Sequence, residues 1–189
     1  MIRELVGTKS ANYKDGILAT TRRNAESMVR TSTQHVASAA QHQVWTDNRE
    51  VVKAYKFVAT LDKKTSDICR SLDGQIFKFG QGPIPPVHIR CRSRTSPILS
   101  DKYSWLSKGR TRSAVGGPVS SQTSYYDWLK RQDSGTVNDV LGRDRAKLFL
   151  DGGLTNDQFR KLQMDKNFKP LNLKGMKSKQ PEAFKKAGL

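Results

Sequence analysis

Asp62-Lys63-Lys64-Thr65-Ser66-Asp67-Ile68-Cys69-Arg70-Ser71-Leu72-Asp73-Gly74 and, after a short loop, Pro85-Pro86-Val87-His88-Ile89-Arg90-Cys91-Arg92-Ser93 hold both cysteines of the chain and one of its three histidines. Just before this stretch, Val51, Val52, Tyr55, Phe57, Val58 and Thr60 are β-branched or aromatic, which predicts a strand from about Tyr55 to Leu61. Asp73-Gly74 is a turn signal, and Gln75-Ile76-Phe77-Lys78-Phe79 after it reads as a second strand. The two make a small antiparallel sheet, with residues 64–72 as a turn or one short helical turn. Gly80-Gln81-Gly82-Pro83-Ile84-Pro85-Pro86 cannot be regular structure. The chain leaves that loop directly into His88 and Cys91.

His88-x-x-Cys91 is a tight pair of metal-ligand types, and the hairpin can bring Cys69 back to it from 22 residues upstream. Asp62, at the strand end, is a fourth oxygen donor. Zinc favours four tetrahedral N, S or O ligands, and a loop-rich segment gains stability from such a closure. Ordinary packing is the competing reading. Asp62 then caps the turn near Thr65, Cys69 is a small core residue, and His88 bonds a carbonyl or a carboxylate. A Cys69–Cys91 disulfide is a further alternative, which a hairpin geometry allows. A nucleophilic cysteine with His88 as base lacks any oxyanion-hole motif, and a metal-assisted hydrolase has no more support.

Upstream, Thr20 or Thr21 caps a helix that ends near Asp47-Asn48. Ala25, Met28, Val29, Ser32, Val36, Ala39, Ala40 and Gln43 recur at spacings of three and four, and this small-residue face is expected to pack on a partner element or subunit. His35 and His42 lie on that helix about 10 Å apart, too far for one metal, and are expected at its interface. Downstream, residues 100–123 are rich in Ser, Gly, Lys and Arg and read as a basic loop. Ser124 caps Tyr125 to Arg131, Thr136 caps Val137 to Leu141, Arg143 to Leu150 is helical, and Thr155 caps Asn156 to Met164. The organisation is therefore α+β: an arm over 1–19, a core domain over 20–99, the basic loop over 100–123, a helical segment over 124–173 and a basic tail over 174–189.

Lys and Arg number 34 against 17 Asp and Glu, a formal net charge of +17 with pI near 10.1. That surplus favours a polyanion, since neutralised phosphates release counterions, or an acidic protein surface. Arg90, Arg92, Arg94, Lys102, Lys108, Arg110 and Arg112, with Tyr103 and Trp105 among them, suit phosphate contact plus stacking on bases. No reading motif accompanies them, so DNA contact would be sequence-nonspecific; a solvated loop is the alternative. No run of 18 or more apolar residues exists to span a membrane. Met1-Ile2-Arg3-Glu4 opens no apolar signal region. Two cysteines do not make a disulfide framework, which suggests a reducing cytoplasm.

The order L-D-x-x-T-x-x-x-C-x-x-L-D-G, then P-P-x-H-x-x-C-R-S, resembles the phage Mu F-like family of minor head proteins. The similarity runs from about Asn24 to Leu99, with Asn24-Ala25-Glu26 and Val29-Arg30-Thr31 resembling the family's helical lead-in. The later Tyr126 to Gln132, Leu141-Gly142-x-x-Arg145 and Gly152-Gly153-Leu154 are similar to a segment that follows the core in many members. Members commonly carry a long helical region ahead of this core, whereas about 20 residues precede it here. The resemblance implies a structural, non-enzymatic protein of the virion. It would bind the portal protein or major capsid protein inside the head, assist assembly, contact packaged double-stranded DNA and influence its ejection. A virion-delivered DNA-processing or toxin-like enzyme using the Cys/His residues is the alternative.

Overall fold

The computed structural model describes every residue except Met1 and Lys166. A short helix, α1 (Ile2–Val6), leads through a turn into α2 (Ile17–Asp47). Asp15 closes that turn by accepting hydrogen bonds from the Thr8 backbone N–H and hydroxyl, each at 2.7 Å. The stretch expected as an arm is thus ordered. Helix α2 begins at Gly16 rather than at the expected threonine caps.

Strand β1 (Val52–Val58) lies at the centre of a three-stranded antiparallel sheet. Helix α3 (Asp67–Leu72) follows it, capped by the Ser66 hydroxyl, which accepts from the Cys69 N–H. Strand β2 (Ile76–Phe77) pairs Tyr55 with Phe77 on one side of β1. Strand β3 (Arg94–Leu99) pairs Phe57 with Thr95 and Val58 with Arg94 on the other. β1 starts three residues before its expected position, and β3 is a strand that the pattern of residues does not announce. Pro97 sits inside β3, tolerable because β3 is an edge strand that needs no further donor.

Residues 100–123 are not an extended loop. They fold as a 3-10 helix (Asp101–Ser107) and a hairpin of β4 (Thr111–Ala114) and β5 (Gly117–Ser120). The C-terminal piece contains α4 (Tyr125–Leu129), α5 (Ser134–Leu141), α6 (Arg143–Asp151) and α7 (Asn156–Leu162). Ser124 and Thr155 cap α4 and α7 through reciprocal capping boxes, as their spacing to Asp127 and Gln158 dictates. The cap of α5 is Asp133 and not Thr136, whose N–H and hydroxyl donate to it. The expected tail forms α8 (Leu173–Lys179) and α9 (Pro181–Lys186), which bury Met176, Ala183 and Phe184.

Three apolar clusters hold the chain. Tyr125, Tyr126, Leu129, Leu148, Phe149, Phe159 and Met176 anchor the C-terminal helices, and Leu61 joins them from the sheet side. Phe57, Ala59, Cys69, Leu72 and Cys91 form a small cluster on the sheet. Trp45, Val52 and Tyr55 tie the end of α2 to β1.

The face α2 buries is not the one its apolar pattern selects. Gln34, Ser38, His42 and Trp45 are buried. Gln34 donates to the Ser93 carbonyl at 2.8 Å, and His42 Nε2 lies 3.1 Å from Thr95 Oγ1, so the seam with β3 is polar and hydrogen-bonded. Met28, Val29, Val36 and Val44 point outward at 70%, 65%, 66% and 60% exposure. His42 is the interface histidine, whereas His35 is exposed.

Candidate metal centre and basic groove

Two local devices bring Cys69, His88 and Cys91 together. The Ser66 cap fixes the first turn of α3 and so places Cys69. Arg90 sits at φ 58°, its N–H donating to Thr31 Oγ1, Nε to Ser27 Oγ and Nη2 to the Arg23 carbonyl. That strap ties the His88–Cys91 turn against α2. The turn is closed by the Cys91 N–H bonding the His88 carbonyl at 3.2 Å.

Cys69 Sγ lies 3.2 Å from His88 Nε2 and 3.8 Å from Cys91 Sγ. The three ligand atoms all lie within 4.8 Å of one another, close enough to hold a metal ion. Both thiols are free and buried. His88 Nδ1 stands 2.8 Å from the Ile89 carbonyl, which can only accept, so Nδ1 carries the proton and the Nε2 lone pair faces Cys69 and Ser66. The hydrogen bond donated by Cys69 lowers the Cys91 thiol to about 5, against the upward push of burial, and the same bond raises Cys69. One thiolate is therefore favoured within the pair.

Asp62 does not join this group. Its carboxylate forms a bidentate ion pair with Arg92, Nη2 to Oδ1 at 2.8 Å. Its Oδ1 also accepts from the Lys64 N–H at 2.9 Å and the Thr65 hydroxyl at 3.1 Å. Burial alone would raise the Asp62 carboxyl, but the Arg92 bond and charge, with Thr65 and Lys64, hold it below the ordinary value.

The seven cations named from the sequence separate. Arg90 and Arg92 are bound as described. With Arg94 and Lys64 they line a groove of about 850 Å³ whose opposite wall is α2 at Glu26, Val29, Arg30, Thr33, Gln34 and Ala37. Lys108 and Arg110 line a different hollow beside the 3-10 helix and β5. Lys102 lies 5.4 Å over the Tyr103 ring, and Trp105 is exposed nearby. Arg112 is not a surface group, since its guanidinium is buried against Asp73. Arg30, Lys64 and Ser66 carry no distinguishing signal in the sequence and enter the site only through the fold.

Residues 7–96 match the family model for phage Mu protein F like protein. That stretch of the chain is similar to the Mu F-like family. The match takes in α2, the whole Cys/His region and the first half of β3, just under half of the chain. No curated protein and no solved structure matches. Mu F-like proteins are phage head-morphogenesis proteins. Among the described residues, no helix is long and apolar enough to cross a membrane.

Proposed function

We propose that this chain is a minor head component of the Mu F-like kind, not an enzyme, that docks at the portal vertex inside the head through the outward face of α2 and the adjoining basic groove. The observation that carries the reading is the inverted helix. A 31-residue helix that buries glutamine, serine and histidine and shows solvent a stripe of Met28, Val29, Val36 and Val44 has a face kept for a partner. Ala25, Ser32, Ala39 and Ala40 lie along the stripe and allow close approach of another helix. Arg30, Lys64, Arg92 and Arg94 beside it suit an acidic surface of the portal or capsid protein. Lys102, Lys108 and Arg110, with Trp105, would meet packaged DNA without reading its sequence and influence its exit. Cys69, His88 and Cys91 would hold a structural zinc that keeps the groove floor rigid, a role supported by their spacing.

The test is binding to purified portal and major capsid assemblies. Val29→Glu with Val36→Glu should weaken capture more than tenfold while the far-ultraviolet circular dichroism stays unchanged. Unaltered capture by that folded double variant would remove α2 as the docking face. Nuclease or nucleotide-modifying activity lost on Cys91→Ala, in a folded protein, would favour the enzymatic alternative.

A further inference from the structure

We infer that the zinc of this knot is held by three protein side chains, Cys69, His88 and Cys91, and keeps its fourth coordination position for water or a small anion. The inference rests on the zinc of the proposed function and is independent of the head role.

Two of the three ligand separations lie near those of a shared tetrahedral ion, and the third is within 4.8 Å. Zn–S bonds of about 2.3 Å and Zn–N bonds of about 2.0 Å set two sulfurs about 3.7 Å apart, and sulfur and nitrogen about 3.5 Å apart. The observed separations are 3.8 Å between Cys69 and Cys91 and 3.2 Å between Cys69 and His88. A disulfide would need the sulfurs at about 2.05 Å. The ring of His88 is already turned for ligation. Nδ1–H donates to a backbone carbonyl and Nε2 faces Cys69 and Ser66, the arrangement that orients metal-bound imidazoles.

The fourth position has no protein donor ready to fill it. The Asp62 carboxylate is engaged by Arg92, Thr65 and the Lys64 N–H. The Ser66 hydroxyl caps α3 by accepting from Cys69 N–H at 3.4 Å, and a neutral hydroxyl is a poor zinc ligand beside thiolates. Next to Ser66, Cys69 and His88 lies a cavity of about 20 Å³, enough to hold a single water. Lys64, Arg90 and Arg92 line its other side. Zinc with two thiolates and a neutral imidazole carries no net charge, because the two thiolates offset the charge of the ion. A small anion in the fourth position would make the centre negative, and Lys64, with Arg90 and the Asp62-paired Arg92, lies on that side. Those cations also line the groove beside α2, so the coordination position opens towards the proposed docking surface.

Cobalt(II) loaded into the reduced full-length chain reports on this directly. The expected result is one cobalt per chain, with sulfur-to-cobalt charge-transfer bands and visible d–d bands of tetrahedral type. Titration with sodium azide should shift the d–d bands saturably, and Asp62→Asn should leave the spectrum unchanged. Cys91→Ser should remove most of the charge-transfer intensity. Bands that azide does not move would show the fourth position closed and overturn the inference while leaving the zinc in place; the wild-type titration decides this even if Asp62→Asn fails to fold. Loss of the bands in a folded Asp62→Asn protein would identify Asp62 as the fourth ligand, with the same consequence. No cobalt uptake, with two titratable thiols or a mass lower by two hydrogens, would overturn the zinc itself.

Discussion

Arg112 holds Asp73 across 39 positions of sequence, Nη1 to Oδ2 at 3.1 Å and Nη2 to Oδ1 at 2.9 Å. The Asp73 side chain is fully buried and that of Arg112 is 9% exposed. The carboxylate also accepts the N–H groups of Ala59 and Tyr125, each at 2.7 Å. Arg112 donates in addition to the carbonyls of Ala59 and Thr123. One carboxylate therefore joins the end of β1, the hairpin and the first helix of the C-terminal piece, across the border of the family match. Removing one member of a buried pair leaves an unpaired charge that costs about 3–5 kcal/mol. Asp73→Ala should lower stability by that amount in urea unfolding, and Arg112→Met should do the same with no effect on DNA affinity. An unchanged unfolding midpoint in Asp73→Ala would show that the node is dispensable.

The two faces of α2 should respond oppositely to substitution. Gln34→Ala leaves the buried Ser93 carbonyl without its donor, at a cost of about 1–3 kcal/mol. Val36→Glu, on the exposed stripe, should change stability by no more than about 0.5 kcal/mol. Chemical unfolding of the two variants side by side tests the orientation of the helix without any partner.

That orientation shows where the sequence was legible and where it was not. Ser124 and Thr155 each stand before a helix with the spacing a cap requires, and each caps one. The turn at Asp73-Gly74 and the approach of Cys69 to His88 and Cys91 follow from hairpin geometry. The apolar stripe of α2 was equally visible but points outward, because polar side chains that find specific partners on β3 can be buried at little cost. Periodicity identifies an apolar face and says nothing of whether the covering surface is on the same chain. Strand β3 was hidden by Pro97. The last two helices were hidden by the lysine-rich composition of residues 174–189, in which Met176 and Phe184 are buried and Lys177 lies 5.9 Å over the Phe184 ring. Among the cations, composition could not separate Arg112, which the fold turns inward, from Lys108 and Arg110, which it leaves outside.

His42 gives a pH dependence of known sign. Its ring lies 4.5 Å from Tyr55 and 5.1 Å from Trp45 by centroid, and burial lowers its pKa from the ordinary 6.5. The folded value lies below the unfolded one, so the unfolded chain takes up the proton first as pH falls. The contribution to stability is complete above about 6.5 and is lost as pH falls through the lower folded value. The urea midpoint of the wild type should therefore drop on acidification below neutrality more than that of His42→Gln. Parallel curves for the two proteins would show that another group governs the loss.

Salt separates the surface cations from the structural ones. Lys108→Ala with Arg110→Ala should weaken binding to a random-sequence duplex. The slope of log affinity against log salt should fall by about one for each phosphate no longer neutralised. Arg90→Ala should act mainly on stability, since its guanidinium is already bonded to Ser27 and the Arg23 carbonyl. Fluorescence anisotropy over a range of salt concentrations decides the matter. A wild-type affinity indifferent to salt would remove the electrostatic account of DNA contact altogether.

The last two helices should be part of the fold rather than an appendage. Phe184 and Met176 are buried in the same cluster as Phe149 and Phe159, and the Arg145 guanidinium reaches the Leu171 carbonyl at 2.5 Å just before α8. Phe184→Ala removes a large buried ring, at a cost of about 3–5 kcal/mol. Removing residues 173–189 strips the cluster of both side chains together and exposes the aromatic rings beneath. The truncated chain should unfold at markedly lower urea than the full chain and expose its C-terminal helices to protease. A truncation that unfolds at the wild-type midpoint would mean that α8 and α9 rest on the surface without supporting it.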